Sequence, residues 1–384
     1  MERFFSISQR GSTVRREVIG GITTFFAMAY IIFVNPNTLC ANVGTAAEPF
    51  FPAMPAELWG PVLVATCVSA AIGCLLTGLL ANVPFAQAPG MGLNAFFTYT
   101  VCLGMGYTWQ EGLAIVLLSG LLFLAISVSP LRKQLIASIP DFLKHAISAG
   151  IGLFIAFIGL LNVGLISISG AVPALQLSVL VDGQRVWNAQ GLLPLLTAVI
   201  SFAIVDCFDT LGALVGLSAN AGLVDEDGRG DRALIADALA TCCGACIGTS
   251  TVTTFAESST GIAEGARTGL SSMVVGVLFL FSVFLAPVAG IIPAAATAPA
   301  LIIVGVLTMR SAISIPWDDM ECAVPAFLTI AVMPFAYSIS DGIAFGFISY
   351  SIIKLVRGKG REVSLLTYGI SLVFIFKYLL GNLV

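Results

Sequence analysis

With 384 residues, of which 58% are hydrophobic and only 10% charged, the chain cannot clothe a soluble globule, which carries about 25% charged residues. Its net charge of -4 decides little, because topology follows where Lys and Arg lie rather than their sum. Repeated apolar runs near the ~20 residues that cross a bilayer make it an all-α polytopic membrane protein. They exclude a disordered chain, a nucleic-acid binder, a secreted disulfide scaffold and, for want of alternating strands, a transmembrane β-barrel.

Residues 1–17 carry Arg3, Arg10, Arg15 and Arg16 and no apolar core of a cleavable signal, so they read as a cytoplasmic leader. Apolar spans follow at 18–41, 60–81, 85–103, 112–130 and 145–167. The polar stretch 168–190, with Asp182 and Arg185, is too charged to insert and reads as an external linker with room for a short hairpin. Further spans lie at 192–218, 233–249, 250–265, 268–290, 293–309, 320–338, 341–356 and 364–383, the last either crossing or lying along the surface. Counted from a cytoplasmic N-terminus, all but Arg185 and Lys377 of the 17 basic residues fall on the inner side, as the positive-inside rule requires.

Two segments differ from plain spans. Pro84–Phe97 is interrupted by Pro89-Gly90, and Gly248–Gly265 opens on a β-branched run, Thr251–Thr254, that favours extended backbone. Each then turns helical, after Gly90 and after about Ala256. Each is the third span of its group, and the two run in opposite directions, the pattern of an inverted-repeat transporter whose broken helices meet at the membrane midplane. Two re-entrant kinks with a packing role are the plainer alternative.

Carboxylates inside apolar spans are costly and tend to face a cavity or a partner. Asp206 and Asp209, three residues apart, share a helical face; Asp206 is as consistent with bracing a neighbouring helix as with function. Glu257 falls where the second broken segment turns helical, where a half-helix start favours a carboxylate. Gln87 and Asn94 are its neutral counterparts, fit either to bind a ligand or to satisfy broken backbone. Phe85 and Phe255 flank the breaks and could stack on a planar ring. Glu264 and Arg267 read as a boundary pair. Cys242, Cys243 and Cys246 read as packing residues, and with His145 the sole histidine neither a metal nor a cofactor is expected.

At these motifs the sequence resembles nucleobase–cation symporter family 2, in its adenine/guanine/hypoxanthine permease branch. The stretches are Ile22–Asn37, Ala88-Pro-Gly-Met-Gly-Leu-Asn-Ala95, Phe208-Asp-Thr-Leu-Gly212, Gly248–Gly269 and Ser338–Gly346. The resemblance implies a core and a gate domain built from two inverted seven-helix repeats, and proton-coupled import of guanine, hypoxanthine or adenine through the plasma (inner) membrane. It puts the purine-holding carboxylates on Asp209 and Glu257. Contacts come from the extended pieces around Phe85, Ala86, Gln87, Thr254, Phe255, Ala256 and Ser258, and the coupling proton falls to Asp209, Glu257 or Asp206. The implied partners are a purine base, a proton, the bilayer and a second copy of the chain.

One departure concerns the gate. The family carries two further helices between its fifth and eighth, where this chain has only the polar 168–190 stretch. The expected organisation is a truncated first repeat at 18–167, the linker, and a second repeat with an extra C-terminal segment at 191–384. Two other classes compete with the transporter. An intramembrane aspartyl protease needs catalytic Asp residues on different helices, which Asp206 and Asp209 are not, so no enzyme is expected. A degenerate homologue kept for binding alone rests only on the short gate.

Overall fold

The computed structural model describes residues 2–40, 53–129, 140–162, 180–181, 184–185, 192–221, 229–285, 294–336 and 339–381. In chain order its main helices are α1 (Val14–Met28), α2 (Ile31–Cys40), α3 (Trp59–Leu76), α4 (Met91–Ala95), α5 (Trp109–Val128), α6 (Asp141–Asn162), α7 (Leu192–Ala221), α8 (Arg229–Ile247), α9 (Ser258–Ala263), α10 (Gly269–Ser282), α11 (Ala294–Met309), α12 (Met320–Ala336), α13 (Ile339–Val356) and α14 (Leu365–Gly381). Four short strands interrupt them: β1 (Gln87–Pro89), β2 (Leu180–Val181), β3 (Gln184–Arg185) and β4 (Val252–Thr254). Among the described residues, the stretches Val14–Cys40, Ala56–Ala81, Trp109–Val128 and Asp141–Leu160 are long and apolar enough to cross a membrane.

The chain divides into two compact units. The first comprises Met1–Asn94, Leu113–Ser129 and Asp206–Thr297. Here α10 packs on α1 and α3, α8 packs on α3, and α9 lies against α1. Local chemistry sets the ends of these helices. Thr13 is extended and accepts a hydrogen bond from Arg16 N, and Thr268 does the same for Leu270 N, so each is a side-chain N-cap. The start of α10 gains a second anchor from the far end of the sequence. The fully buried Glu17 accepts from the backbone N–H groups of Arg267 and Thr268 at 2.8 and 3.3 Å. Arg267 spends its guanidinium on the carbonyls of Ile262 and Ala266. The ion pairs among the described residues do not join it to Glu264, so the boundary pair read from sequence is replaced by a buried helix cap.

Gly248 ends α8 at φ +107, a backbone conformation that a β-carbon opposes. Its N–H and that of Thr249 both return to the Gly244 carbonyl, closing the helix as C-terminal caps do. The chain leaves that turn extended and reaches β4, which pairs antiparallel with β1 in the register Gln87↔Thr254, Ala88↔Thr253, Pro89↔Val252. Flanking bonds from Gly90 N to Thr251 O and from Phe255 N to Ala86 O, each 3.0 Å, extend the crossing at both ends. Gly90 suits the crossing, since a β-carbon there would overlap the Thr253 methyl. The two interrupted segments therefore satisfy one another's backbone, the condition for irregular chain at membrane depth.

The second unit comprises Ala95–Gly112, Pro130–Val205 and Ala298–Val384. There α12 packs on α13 and on α6. The buried Glu321 at the start of α12 is held by Lys354, Arg357 and Lys359 at 2.8, 3.0 and 2.7 Å. Strands β2 and β3 pair antiparallel, Leu180↔Arg185 and Val181↔Gln184, inside the window expected as a linker. The remainder of 168–190 lies outside the described residues.

Candidate functional site

The crossing of β1 and β4 places the chemistry-bearing side chains of the first unit. Val252, Thr253, Thr254 and Phe255 are buried, as are Phe85, Ala86 and Gln87. At Ala256 the chain becomes exposed and at Glu257 half-exposed, before Ser258 returns to the interior. Asp209 on α7 is likewise half-exposed, whereas Asp206 one turn before it is fully buried. The carboxylates of Asp209 and Glu257 lie near enough to interact, and the Thr253 side chain also interacts with Asp209. Two acidic groups, each partly accessible, thus lie within electrostatic reach of one another beside an otherwise sealed stretch of ribbon.

Each is supported differently. Tyr30, in the turn between α1 and α2, donates its hydroxyl proton to Glu257 Oε1 at 2.8 Å. The backbone below is tied down by Ser258. Its Oγ accepts from Ala86 N at 2.9 Å and donates to Phe255 O at 2.7 Å, so Ala86 and Phe255 are cross-linked on both sides of the break. Phe85 O accepts from Ser272 Oγ at 2.8 Å.

The other expected site residues are placed as follows. Gln87 is fully buried; its Nε2 donates to Asp237 Oδ1 at 2.9 Å and to Thr254 Oγ1 at 3.4 Å. Its Oε1 has no hydrogen-bond partner and lies against Gly73. Thr254 also donates to Asp237 Oδ1, at 3.0 Å. Asp206 Oδ2 accepts from Thr241 Oγ1 at 3.1 Å, a bond to the neighbouring helix α8, while its Oδ1 has no partner. Asn94 Oδ1 accepts from Ser250 Oγ. Phe85 and Phe255, at 1% and 7% exposure, have their rings in the interior.

Two members of this constellation were missed by sequence reasoning. Asp237, at the middle of α8, is fully buried and takes three hydrogen bonds: those from Gln87 and Thr254, and one from Thr210 Oγ1 to its Oδ2 at 2.7 Å. The cue was present, an Asp inside an apolar span, as at Asp206. Tyr30 carried no local cue, for its partner is remote in sequence. Among the described residues, no group of His, Cys, Asp and Glu is arranged to hold a metal.

The comparisons follow the motifs. A model described as Permease family matches residues 15–182 and 187–345. The guanine/hypoxanthine permease PbuG of Bacillus subtilis is 40% identical, with 99% of each chain covered. That alignment runs over 441 positions against the chain's 384 residues, so stretches of the relative have no counterpart here. The adenine permease AdeP of Escherichia coli is 37% identical over 98% of this chain and 95% of its own. In fold alone, the transmembrane domain of a cyanobacterial bicarbonate transporter, BicA, matches with a TM-score of 0.62 at 15% identity, over 85% of this chain and 97% of that one. It is a multi-pass transporter rather than an enzyme, and by model match and full-length relatives alike the chain belongs to the Permease family.

Proposed function

We propose that the chain imports purine nucleobases together with protons, and that Asp209 and Glu257 hold the base. The observation that carries this is that both carboxylates are partly accessible beside the β1–β4 crossing and within interaction range of each other. A purine edge presents ring and exocyclic N–H donors, and carboxylates accept such donors in bonds stronger than neutral ones. Tyr30 occupies one oxygen of Glu257 and so fixes which oxygen faces the base. Ala256, exposed between the buried Phe255 and the half-exposed Glu257, gives the planar ring a small-residue approach to the backbone. Relatives named for guanine, hypoxanthine and adenine support the substrate class.

The arrangement fits a core unit that carries the base while the other unit gates it. Both units draw on both halves of the sequence, as two intertwined inverted repeats would. We read the N-terminus as cytoplasmic from the distribution of basic residues, and a homodimer as the working assembly. A degenerate, non-transporting homologue is disfavoured, because relatives that match the full length of the chain are named as permeases. Uptake of labelled guanine, hypoxanthine and adenine into proteoliposomes, with and without an inward proton gradient, tests the proposal. Gradient-dependent accumulation of at least one base is expected.

A further inference from the structure

The Asp237 network lies behind the proposed anchor Asp209 and leads to it. Thr210 Oγ1 lies 2.7 Å from Asp237 Oδ2 and 3.2 Å from Thr253 Oγ1, and in the second contact either oxygen can be the donor. Thr253 in turn interacts with Asp209. The order Asp237–Thr210–Thr253–Asp209 is thus two hydroxyls between two carboxylates. Asp237, Thr210 and Thr253 are all sealed from solvent at 0–2% exposure, while Asp209 is partly accessible.

Such a chain has two internally consistent states with the same number of protons, differing in which end carboxyl carries one of them. With the proton on Asp209, that carboxyl donates to Thr253, Thr253 to Thr210 and Thr210 to ionised Asp237. With the proton on Asp237, every donor reverses and Thr253 donates to ionised Asp209. Between them three O–H bonds break and three form, no electrons change hands, and neither hydroxyl gains or loses charge. We propose that Asp237, Thr210 and Thr253 form a proton relay that stores the transported proton on Asp237 while Asp209 is ionised to accept the purine.

The physical reason lies in what each group must do at the same moment. A carboxylate accepts N–H donors well only when ionised, so a base and a proton cannot share Asp209. Purine binding favours ionised Asp209 and drives the proton along the hydroxyls to Asp237, where it stays until the base leaves. Interiors of low dielectric disfavour two neighbouring unpaired negative charges, so one proton for the pair is the favoured occupancy. The ion pairs among the described residues do not involve Asp237. The titratable groups facing it are Asp206 and Asp209 from α7. Cys74 of α3 bonds the backbone of Gln87, and Glu257 acts through Asp209. This inference rests on the reading of Asp209 as a purine anchor and of transport as proton-coupled.

The test compares two modes of transport in proteoliposomes loaded with hypoxanthine: exchange of labelled for unlabelled base without a gradient, and accumulation driven by a proton gradient. Thr210→Val removes the hydroxyl at constant size. Exchange is expected to stay within about twofold of wild type, and gradient-driven accumulation to fall roughly a hundredfold, the lower end of what a positioned proton-transfer group contributes. Thr210→Ser should restore accumulation, and Asp237→Asn should reproduce the Thr210→Val pattern. Full accumulation by Thr210→Val, or equal loss of both modes in the Val and Ser variants, overturns the relay. Should Thr210→Val fail to insert, the wild type in D2O decides: accumulation must slow more than exchange, and equal slowing overturns it. Failure of the wild type itself to accumulate base under the gradient strikes the underlying transport reading instead.

Discussion

Tyr30 and Glu257, one in the turn that follows α1 and the other at the end of the β1–β4 crossing, are joined by a 2.8 Å hydrogen bond from the phenol to Oε1. The bond fixes the rotamer of a carboxylate that would otherwise turn. Truncating the donor leaves the chain's packing intact but lets Glu257 turn. Tyr30→Phe is therefore expected to weaken purine binding by roughly tenfold, the effect of one hydrogen bond to a charged group. The thermal midpoint should be nearly unchanged. Calorimetry with guanine and hypoxanthine on the purified variant measures both, and a midpoint that collapses with unchanged affinity would contradict the assignment.

Glu257→Gln and Asp206→Asn should separate binding from bracing. Glu257 is half-exposed, whereas Asp206 is fully buried and tied to Thr241 of α8. Glu257→Gln keeps one acceptor and should lose about ten- to a hundredfold in affinity. Asp206→Asn should bind within a few-fold of wild type and show its effect in stability. A filter-binding assay with both variants suffices, and equal, near-wild-type affinity in the two would remove Glu257 from the site.

Gly90→Ala drives a β-carbon into the Thr253 methyl, so Thr253 or the strand that carries it has to move. Transport should be lost. The double variant Gly90→Ala with Thr253→Ser deletes the clashing methyl and keeps the hydroxyl, so uptake should return in part. Failure of that rescue, with both proteins inserted at wild-type level, would mean that the crossing is not what limits the Ala variant.

Glu17→Ala strips the cap from the start of α10 and leaves the N–H groups of Arg267 and Thr268 unpaired in the interior. Each orphaned buried donor costs about 1–3 kcal/mol. The detergent-solubilised variant should melt several degrees below wild type, while Glu17→Gln, which keeps one acceptor, should lose less. Differential scanning fluorimetry distinguishes them, and identical melting of all three proteins would contradict the cap.

Much of this site was legible because membrane interiors punish exceptions. Pro89-Gly90 and the Thr251–Thr254 run mark backbone that cannot be a plain helix, and the folded chain pairs those stretches as β1 and β4. Asp209 and Glu257 stood out as charges within apolar spans. Asp237 met the same criterion, but it sits among alanines in a helix that otherwise reads as small-residue packing. What it does depends on Gln87, Thr210 and Thr254, each distant in sequence. The register Gln87↔Thr254 was beyond reach, since three-residue strands carry too little pattern to set pairing. The partners of Tyr30 and Glu17 lie 227 and 250 residues away, and only the folded chain reveals them. The nearness of Glu264 to Arg267 in sequence suggested a pair that the fold replaces with backbone bonds.

The central claim is that Asp209 and Glu257 jointly hold a purine base during proton-driven import. It is tested most directly by gradient-driven uptake of labelled guanine, hypoxanthine and adenine into proteoliposomes holding wild type, Asp209→Asn or Glu257→Gln. The account predicts accumulation by wild type that collapses when the gradient is dissipated, and a loss of roughly tenfold or more in each variant. Wild-type accumulation indifferent to the proton gradient, or undiminished uptake in both variants, would contradict it.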